Sequence, residues 1–273
     1  MASGGGSPAL SGTGTPLANS NPGTDSPNPH NLFKLNPANI LSTTHDESVV
    51  LTSEGVPKTK ICVFCGASPG TSPAHMEAAR ALARVFHENN ISLVYGGGTV
   101  GLMGEVARTL VSLSGPSSVH GIIPAPLIKY ERGPDSTPSE TTSGSIPSPT
   151  LYGHTTVVKD MHTRKQLMAR EVLTGGPGSG FIALPGGYGT LEELMEVVTW
   201  NQLGIHDRGI VVLNVEGYWD GLLEWVRGSV EAGFVGEKNR GIIREAKGAG
   251  EAVRCLREYR NAEGRFRLQW GEE

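Results

Sequence analysis

The sequence lacks the features that mark secreted, membrane-bound or nucleic-acid-binding proteins. No apolar run is long enough to span a bilayer, and the N-terminus lacks the charged start and apolar centre of a signal peptide. No arginine precedes Arg80, which argues against a mitochondrial transit segment. The net charge of −4 gives no reason to expect a nucleic acid or an anionic membrane as partner. We therefore expect a soluble, cytoplasmic protein.

Cysteine is also scarce, and metal-binding patterns are missing. Three cysteines, Cys62, Cys65 and Cys255, are too few for a disulfide framework. Cys62 and Cys65 form a C-x-x-C, which could be a redox pair or half of a zinc site, but no partner motif completes that site. Their position in the strand-like run KICVFC favours two small buried residues. His162 and His206 lack metal-binding spacings, so no metal is expected.

Two segments contain few large apolar residues. Residues 1–57 are rich in Ser, Gly, Pro, Asn and Thr, and they cannot offset the cost of about 1–2 kcal/mol of backbone entropy for each ordered residue. We therefore predict a disordered tail over 1–57. A similar stretch at 132–150 is predicted to be a flexible insertion in one domain that spans 58–262, and 263–273 is predicted to be a C-terminal tail.

Between these segments, short β-branched runs alternate with helical patterns. Several runs are apolar at consecutive positions, as in strands that are buried on both faces. One helix is predicted to begin with Ser72 as N-cap and Pro73 as its first residue. The alternation predicts an α/β fold with a doubly wound, mainly parallel, Rossmann-like sheet. The predicted strands are KICVFCG, ISLVYGG, SVHGIIP, TTVVKD, GFIALPG and RGIVVLN.

Ligands bind beyond the carboxyl ends of such strands, where three glycine-rich turns fall, at 66–68, 96–104 and 185–190. The second turn fits the dinucleotide pattern G-x-G-x-x-G through Gly96, Gly98 and Gly101. No acidic residue ends the next strand to hold a ribose, and the lysine of an ATP-binding loop is missing. This turn is therefore predicted either to bind a simpler phosphate through backbone N–H groups or to be a tight turn with close helix packing.

The third turn, PGGYGTLEEL, leads into a helix for which Thr190 is the predicted N-cap. Backbone N–H groups and the helix dipole attract an anion at such a place. Glu192 and Glu193 follow in the predicted first turn, where they suit the dipole, so simple helix capping is the alternative reading. Adjacent helical residues differ in direction by about 100°. Only one of the two carboxylates can therefore serve a site, while the other faces solvent or a partner.

The segment DMHTRKQLMAR places two cations between methionines on one helix face. Asp160 is its candidate N-cap, and the face consists of Met161, Arg164, Lys165 and Met168 at i, i+3, i+4 and i+7. The cations could grip a phosphate or an electron-rich leaving group. They could also be the edge of an ordinary amphipathic helix, with charged heads that reach solvent.

Taken together, GGGTVGLMG, DMHTRK, PGGYGTLEEL and TWNQLGIHD resemble the LONELY GUY (LOG) family. Its members are cytokinin riboside 5′-monophosphate phosphoribohydrolases, long labelled lysine decarboxylases. The resemblance covers residues 60–260, and the pair of motifs M-H-x-R-K and P-G-G-x-G-T-x-x-E is specific. It implies a doubly wound α/β fold and hydrolysis of the N-glycosidic bond of N6-substituted AMP, a small-molecule nucleotide substrate. It also implies a homodimer with the helix of Glu192 near the interface, and no cofactor.

By motif position, the resemblance implies that Arg164 and Glu193 are the catalytic pair. The third turn would hold the phosphate and ribose, and Glu131 would lie near the substrate, where the insertion begins. The substrate-binding residues that it implies are Ser68, Gly97, Gly98, Thr99, Glu131, Met161, Lys165, Pro185, Gly186, Gly187, Tyr188, Gly189, Thr190, Glu192 and Thr199.

This resemblance explains why glycines and carboxylates stand side by side. A nucleoside monophosphate has an anionic phosphate, and its ribose becomes cationic as the glycosidic bond breaks. The reference pKa of glutamate is about 4.3, so Glu193 is expected to be ionised, to stabilise that cation and to orient water. Arg164 is expected to orient the substrate and steady the departing base. A general AMP nucleosidase, a nucleotide or molybdenum-cofactor carrier, and a pyridoxal-phosphate decarboxylase with Lys159 or Lys165 stay open as alternatives.

Overall fold

One parallel sheet organises residues 55–129 and 146–268, the part of the chain that this computed structural model describes. The strand order is β4-β3-β2-β1-β5-β6-β7, and every neighbouring pair is parallel. The doubly wound parallel sheet is therefore confirmed. The strands are β1 (Lys60–Phe64), β2 (Ser92–Tyr95), β3 (Val119–Pro124), β4 (His154–Val158), β5 (Gly180–Ala183), β6 (Gly209–Leu213) and β7 (Ile243–Ala246).

Helices cover both faces of the sheet, because side chains along each strand alternate between two cores. On β1, Ile61 and Val63 enter the core formed with α1, α2 and α8, whereas Cys62 and Phe64 enter the core formed with α5, α6 and α7. The helices are α1 (Pro73–Glu88), α2 (Gly101–Ser114), α3 (Ala125–Ile128), α4 (Pro149–Tyr152), α5 (Met161–Leu173), α6 (Tyr188–Gln202), α7 (Asp220–Glu231) and α8 (Ala249–Arg257).

Two predicted helix starts are confirmed, and a third is wrong. The Ser72 side chain accepts a hydrogen bond from the Ala74 amide at 3.2 Å, and the Asp160 carboxylate accepts one from the Thr163 amide at 2.7 Å. Helix α6, however, begins at Tyr188, with Gly187 as N-cap rather than Thr190.

The early start of α6 changes the position of its polar residues. The flexible pair Gly186 and Gly187 lets the chain enter the helix before Thr190, which is its third residue. The Thr190 side chain is buried and lies against Gly186, where a Cβ atom would come within 2.1 Å of the hydroxyl oxygen. Glu192 and Glu193 are the fifth and sixth residues of the helix, so their predicted place in the first turn is also wrong.

The last strand and helix, β7 and α8, were not predicted. The strand IREA carries exposed Arg244 and Glu245 between two buried apolar residues, which makes it too short and too polar to stand out. The chain also stays attached to the domain beyond 262: the Arg265 guanidinium donates to the Asn201 carbonyl at 2.9 Å and to the His206 carbonyl at 2.7 Å.

The remaining sequence expectations for the fold concern the cysteines, the predicted tail and insertion, and membranes. Cys62 and Cys65 are buried and unbonded, and burial raises the pKa of both thiols, which keeps them protonated and unreactive. The predicted tail up to residue 54 and the insertion up to residue 145, with Glu131, lie outside the described residues. Among the described helices, none is long and apolar enough to cross a membrane.

Candidate active site

Three turns meet where the strand order reverses, between β1 and β5. These are the β1 turn (residues 66–68), the β2 turn (residues 96–101) and the β5 turn (residues 185–190). The Gly66 amide donates to the Pro185 carbonyl at 3.0 Å, and the Gly66 carbonyl accepts from the Leu102 amide at 3.0 Å. One residue of the β1 turn therefore binds the β5 turn and the helix start that follows the β2 turn. The predicted gathering of the three turns at the ligand-binding edge is confirmed.

The β2 turn is closed by its neighbours. The amides of Leu102 and Met103, at the start of α2, both donate to the Gly66 carbonyl, at 3.0 and 3.3 Å. Gly101 has φ +60°, and a Cβ atom there would lie 2.3 Å from the backbone nitrogen of Ser68. These amides and this glycine serve contacts between backbones. Close packing of backbones is therefore one reason for the G-x-G-x-x-G pattern.

The β2 turn also makes room for Arg164. A Cβ atom on Gly96 would lie 1.9 Å from Nη2 of Arg164, so only glycine leaves space for the guanidinium. The guanidinium is buried, and its Nε donates to the Ile122 carbonyl at 3.2 Å. Because Asp160 caps α5, Arg164 lies one turn into that helix and reaches across the ends of β2 and β3.

Arg164 and Glu193 form a buried ion pair. Nη1 of Arg164 lies 3.2 Å from Oε1 of Glu193, and both side chains are about nine-tenths buried. Burial raises the pKa of Glu193, the charge of Arg164 opposes that rise, and the charge of Glu192 adds to it. Glu192 itself is half-exposed. Only one of the two adjacent carboxylates, that of Glu193, is therefore buried beside Arg164.

Lys165, on α5, connects that helix to α6. Its Nζ lies 2.5 Å from Oε1 of Glu192 and also contacts Glu196. Burial alone would lower the pKa of Lys165, but the hydrogen bonds to the two carboxylates outweigh burial and raise it. Thr199 is exposed, and its hydroxyl donates to the Met195 carbonyl of its own helix at 2.8 Å. Both side chains therefore bond to other protein groups in this structure. Their implied roles in substrate binding stay predictions.

The β5 turn, unlike the β2 turn, has open space beside it. A Cβ atom on Gly187 or on Gly189 would meet no atom within 4 Å. Tyr188 is 94% exposed. The first amides of a helix have no carbonyl partner within that helix, and the helix dipole makes this end attractive to an anion. The open side of the β5 turn is therefore suited to a phosphate.

Other predicted residues lie around this centre. Met161 is partly exposed and places its sulfur 3.9 Å from Nη1 of Arg164. Gly98 and Thr99 are buried in the β2 turn, whereas Ser68 is exposed on the β1 turn. Sequence reasoning missed Tyr218, whose hydroxyl donates to the Gly186 carbonyl. The glycine in the run NVEGYW after β6 is the one sequence signal for the turn that precedes Tyr218.

His206 has a structural role. Its Nε2 lies 2.9 Å from the Val197 carbonyl, and its Nδ1 accepts from the Arg208 amide at 3.1 Å. These contacts suit the neutral ring, and burial lowers the pKa of His206 to about 4. The histidine of the TWNQLGIHD segment therefore anchors α6.

These features define a doubly wound α/β protein with a buried Arg–Glu pair beside an open helix start. A family model described as "Possible lysine decarboxylase" matches residues 103–256. Cytokinin riboside 5′-monophosphate phosphoribohydrolase LOG7 of Arabidopsis thaliana is 46% identical over 200 residues, which cover 73% of this chain and 82% of that protein. The chain belongs to the LOG family, the cytokinin riboside 5′-monophosphate phosphoribohydrolases.

A second curated relative and one solved structure are also similar to this chain. A bifunctional cytokinin biosynthesis protein of Fusarium pseudograminearum (strain CS3096) is 53% identical over 210 residues, which cover 77% of this chain. The chain spans only 42% of that relative's length. Among solved structures, the Moco carrier protein of Chlamydomonas reinhardtii is 17% identical with a TM-score of 0.48, over 74% of this chain and 96% of that one.

Proposed function

We propose that this protein hydrolyses the N-glycosidic bond of a cytokinin riboside 5′-monophosphate, an N6-substituted AMP. The observation that carries the proposal is the buried Arg164–Glu193 pair, 3.2 Å apart, beside the open start of α6. Two relatives that are 46% and 43% identical to this chain are named for the same reaction. The products are the free cytokinin base and ribose 5-phosphate.

Glu193 supplies the negative charge that the reaction requires. As the C1′–N9 bond breaks, its electron pair leaves with the base and C1′ becomes an oxocarbenium-like cation. A fixed carboxylate in a water-poor site stabilises that cation strongly. Because burial raises the pKa of Glu193 while Arg164 opposes the rise, the group is a stronger base than a free glutamate. It accepts a proton from the water molecule whose oxygen then bonds to C1′.

Arg164 acts on the leaving base without donating a proton. Arginine stays charged in proteins, so it can stabilise developing negative charge only through hydrogen bonds and its own charge. The Ile122 carbonyl and Glu193 hold two of its nitrogens, which fixes the plane of the guanidinium before the substrate arrives. The proton that the departing base takes up therefore comes from solvent or substrate, and not from Arg164.

The open start of α6 binds the phosphate in this proposal. Helix α6 has 15 residues and begins directly at the β5 turn. Its first amides and its dipole favour an anion of this kind. Glu192 would repel a phosphate, but it lies one full turn further along and bonds to Lys165. The glycines and the carboxylates thus act on opposite ends of one ligand.

The lysine decarboxylase alternative fits the lysines poorly. A Schiff-base lysine needs a neutral amine, which is usually produced by a lowered pKa. Lys165 has the opposite environment, because two carboxylates raise its pKa and hold it protonated. Lys159 is 82% exposed and lies 3.8 Å from the Asp160 carboxylate. Neither lysine therefore has the surroundings that this chemistry requires.

A chromatographic assay separates the remaining alternatives. Purified protein is incubated with AMP and with N6-isopentenyl-AMP, and free base and ribose 5-phosphate are measured. We expect faster release from the prenylated nucleotide. Comparable rates on both would point to a general AMP nucleosidase, and no release from either while AMP still binds would point to a carrier.

Replacing the central carboxylate tests the mechanism itself. Glu193→Gln keeps the size of the side chain but removes its charge, so kcat should fall by at least about 100-fold while the Kd for AMP changes by less than about threefold. Stopped assays give kcat, and calorimetry gives Kd. Glu192→Gln, one residue away and half-exposed, is the matched comparison and should cost less than about tenfold. Near-normal turnover in Glu193→Gln would contradict the assignment.

Homodimerisation and a cytoplasmic location stay predictions. Exposed Tyr188 and Leu191 on α6, with partly exposed Met161 nearby on α5, give this face apolar surface that a second copy could cover. The prediction that the protein has no nucleic-acid or membrane partner rests on the net charge of −4.

A further inference from the structure

Tyr218 follows β6, the strand next to β5, and its side chain reaches the β5 turn. After β6, the chain makes a single 3-10 turn over Val215–Gly217, in which Glu216 has φ +51° and Gly217 has φ +76°. Two consecutive left-handed residues reverse the chain direction sharply, and the first of them is a non-glycine residue, which is unfavourable. The reversal brings Tyr218 over the edge of the sheet, where its hydroxyl donates to the Gly186 carbonyl.

Neighbouring rings fix the direction of the Tyr218 hydroxyl. The ring of His75 meets it edge-on at 6.0 Å, and that of Trp219 meets it edge-on at 5.1 Å. Gly70 lets His75 approach, since a Cβ atom there would lie 2.5 Å from Nδ1 of the histidine. The Trp219 amide donates to Oδ1 of Asn214 at 2.8 Å, which fastens the turn to β6. The tyrosine is therefore held from several sides, although it is half-exposed.

The bond to Gly186 controls one particular peptide unit. The Gly186 carbonyl and the Gly187 amide belong to the same planar, trans peptide, so they point in opposite directions. Two flanking glycines make this unit easy to rotate, because no Cβ atom restricts either side. In the flipped orientation, a carbonyl oxygen would take the place of the N–H group and would repel an anion. A donor that holds the carbonyl therefore also sets the direction of the Gly187 amide.

Gly187 borders open space, whereas Gly186 is in close contact with Thr190. A Cβ atom on Gly187 would meet nothing within 4 Å, whereas one on Gly186 would meet the hydroxyl oxygen of Thr190 at 2.1 Å. The Pro185 carbonyl is already engaged by the Gly66 amide at 3.0 Å. Pro185 and Gly186 are thus fixed by the protein, and the Gly186–Gly187 peptide is the next unit toward the open side.

We propose that Tyr218 is a positioning residue for phosphate binding: its hydroxyl locks the Gly186–Gly187 peptide so that the Gly187 amide faces the 5′-phosphate of the substrate. This inference rests on the proposed function, because it assumes that the phosphate binds at the start of α6. Tyr218 acts through the peptide and does not touch the substrate. Its loss should therefore weaken ligands that carry a phosphate and leave those without one unaffected.

The test compares two tyrosine-to-phenylalanine variants of the full chain. Tyr218→Phe removes the hydroxyl and keeps the ring contacts. Tyr259→Phe is the matched control, because Tyr259 donates to Oδ1 of Asn201 at 3.3 Å and packs on Gly209, at the opposite edge of the sheet. Steady-state kinetics with N6-isopentenyl-AMP and with its riboside, inhibition by ribose 5-phosphate, AMP binding and thermal unfolding are measured for each protein.

We expect Tyr218→Phe to raise KM for the nucleotide and Ki for ribose 5-phosphate by about three- to tenfold, the usual effect of one neutral hydrogen bond. The Tm of Tyr218→Phe and its activity on the riboside should be the same as those of Tyr259→Phe. Unchanged KM and Ki, or equal losses on nucleotide and riboside, would overturn the inference. If the wild-type chain cleaves neither substrate, the proposed function fails, and AMP affinity still decides whether Tyr218 positions the phosphate-binding turn.

Discussion

Two glycine-rich turns flank β1, and they use their glycines in opposite ways. In the β2 turn, the missing side chains leave room for protein: for Arg164 beside Gly96 and for the β1 turn beside Gly101. In the β5 turn, Gly187 and Gly189 leave room that no protein atom fills within 4 Å. The pattern of glycines alone therefore does not show which turn binds a ligand.

The hydrogen bonds at the start of the following helix show the difference. At α2, the amides of Leu102 and Met103 are occupied by the Gly66 carbonyl. At α6, the protein instead holds the carbonyl side of the turn, through Gly66 on Pro185 and Tyr218 on Gly186. Holding carbonyls leaves amide groups for an anion, whereas occupying amides removes them. The closed turn thus positions Arg164, the proposed catalytic arginine, and the open turn is suited to the substrate.

The largest expected effect comes from filling the space beside Arg164. In Gly96→Ala, the new methyl group would lie 1.9 Å from Nη2, so the guanidinium must leave its place between Ile122 and Glu193. We expect kcat to fall by about 100-fold, the usual effect of losing one electrostatic contact in a site of this kind. Steady-state turnover of N6-isopentenyl-AMP measures it.

A control and a thermal measurement separate this loss from unfolding. Gly250→Ala, in α8, places the same methyl group where no atom lies within 4 Å, and it should leave turnover unchanged. Because the clash in Gly96→Ala is with the end of a long side chain, its Tm should fall by only about 2–4 °C. Normal turnover in Gly96→Ala would mean that the position of Arg164 does not matter to the reaction.

The second effect concerns stability and has no counterpart in the open turn. In Gly101→Ala, a side chain is forced to φ +60° and lies 2.3 Å from the backbone nitrogen of Ser68, which cannot swing away. We expect the free energy of unfolding to fall by about 2 kcal/mol or more. Denaturant titration followed by circular dichroism measures the change. A loss below about 0.5 kcal/mol would show that the two turns do not depend on close packing.

The fold could be predicted from the sequence because its signals are local. Six of the strands and the caps at Ser72 and Asp160 each follow from a few adjacent residues. The strand IREA gave no such signal, and Thr190 gave a misleading one, because a threonine before a helical pattern is typical of an N-cap. Only the flexibility of Gly186 and Gly187 moved the helix start forward.

The site could be predicted only in part, because its contacts join distant segments. Arg164 and Glu193 are named by their motifs, but their 3.2 Å contact depends on how α5 and α6 pack. The occupation of Lys165 by two carboxylates and the reach of Tyr218 to Gly186 likewise depend on side chains from different elements. No spacing along one segment encodes such contacts. The difference between the closed β2 turn and the open β5 turn also depends on contacts between distant segments.

The smallest expected effect sharpens the comparison, because stability and ligand binding should change in opposite senses. Gly189 is the second residue of α6, and a Cβ atom there would meet nothing within 4 Å, so Gly189→Ala should stabilise the free protein by about 0.5 kcal/mol through helix propensity. The same methyl group would occupy the space assigned to the phosphate and raise KM for the nucleotide by about three- to tenfold. Thermal unfolding and steady-state kinetics measure the two changes on one preparation. If Gly189→Ala is more stable but binds the nucleotide as well as the wild type does, the phosphate lies elsewhere, and the open side of the β5 turn is not its site.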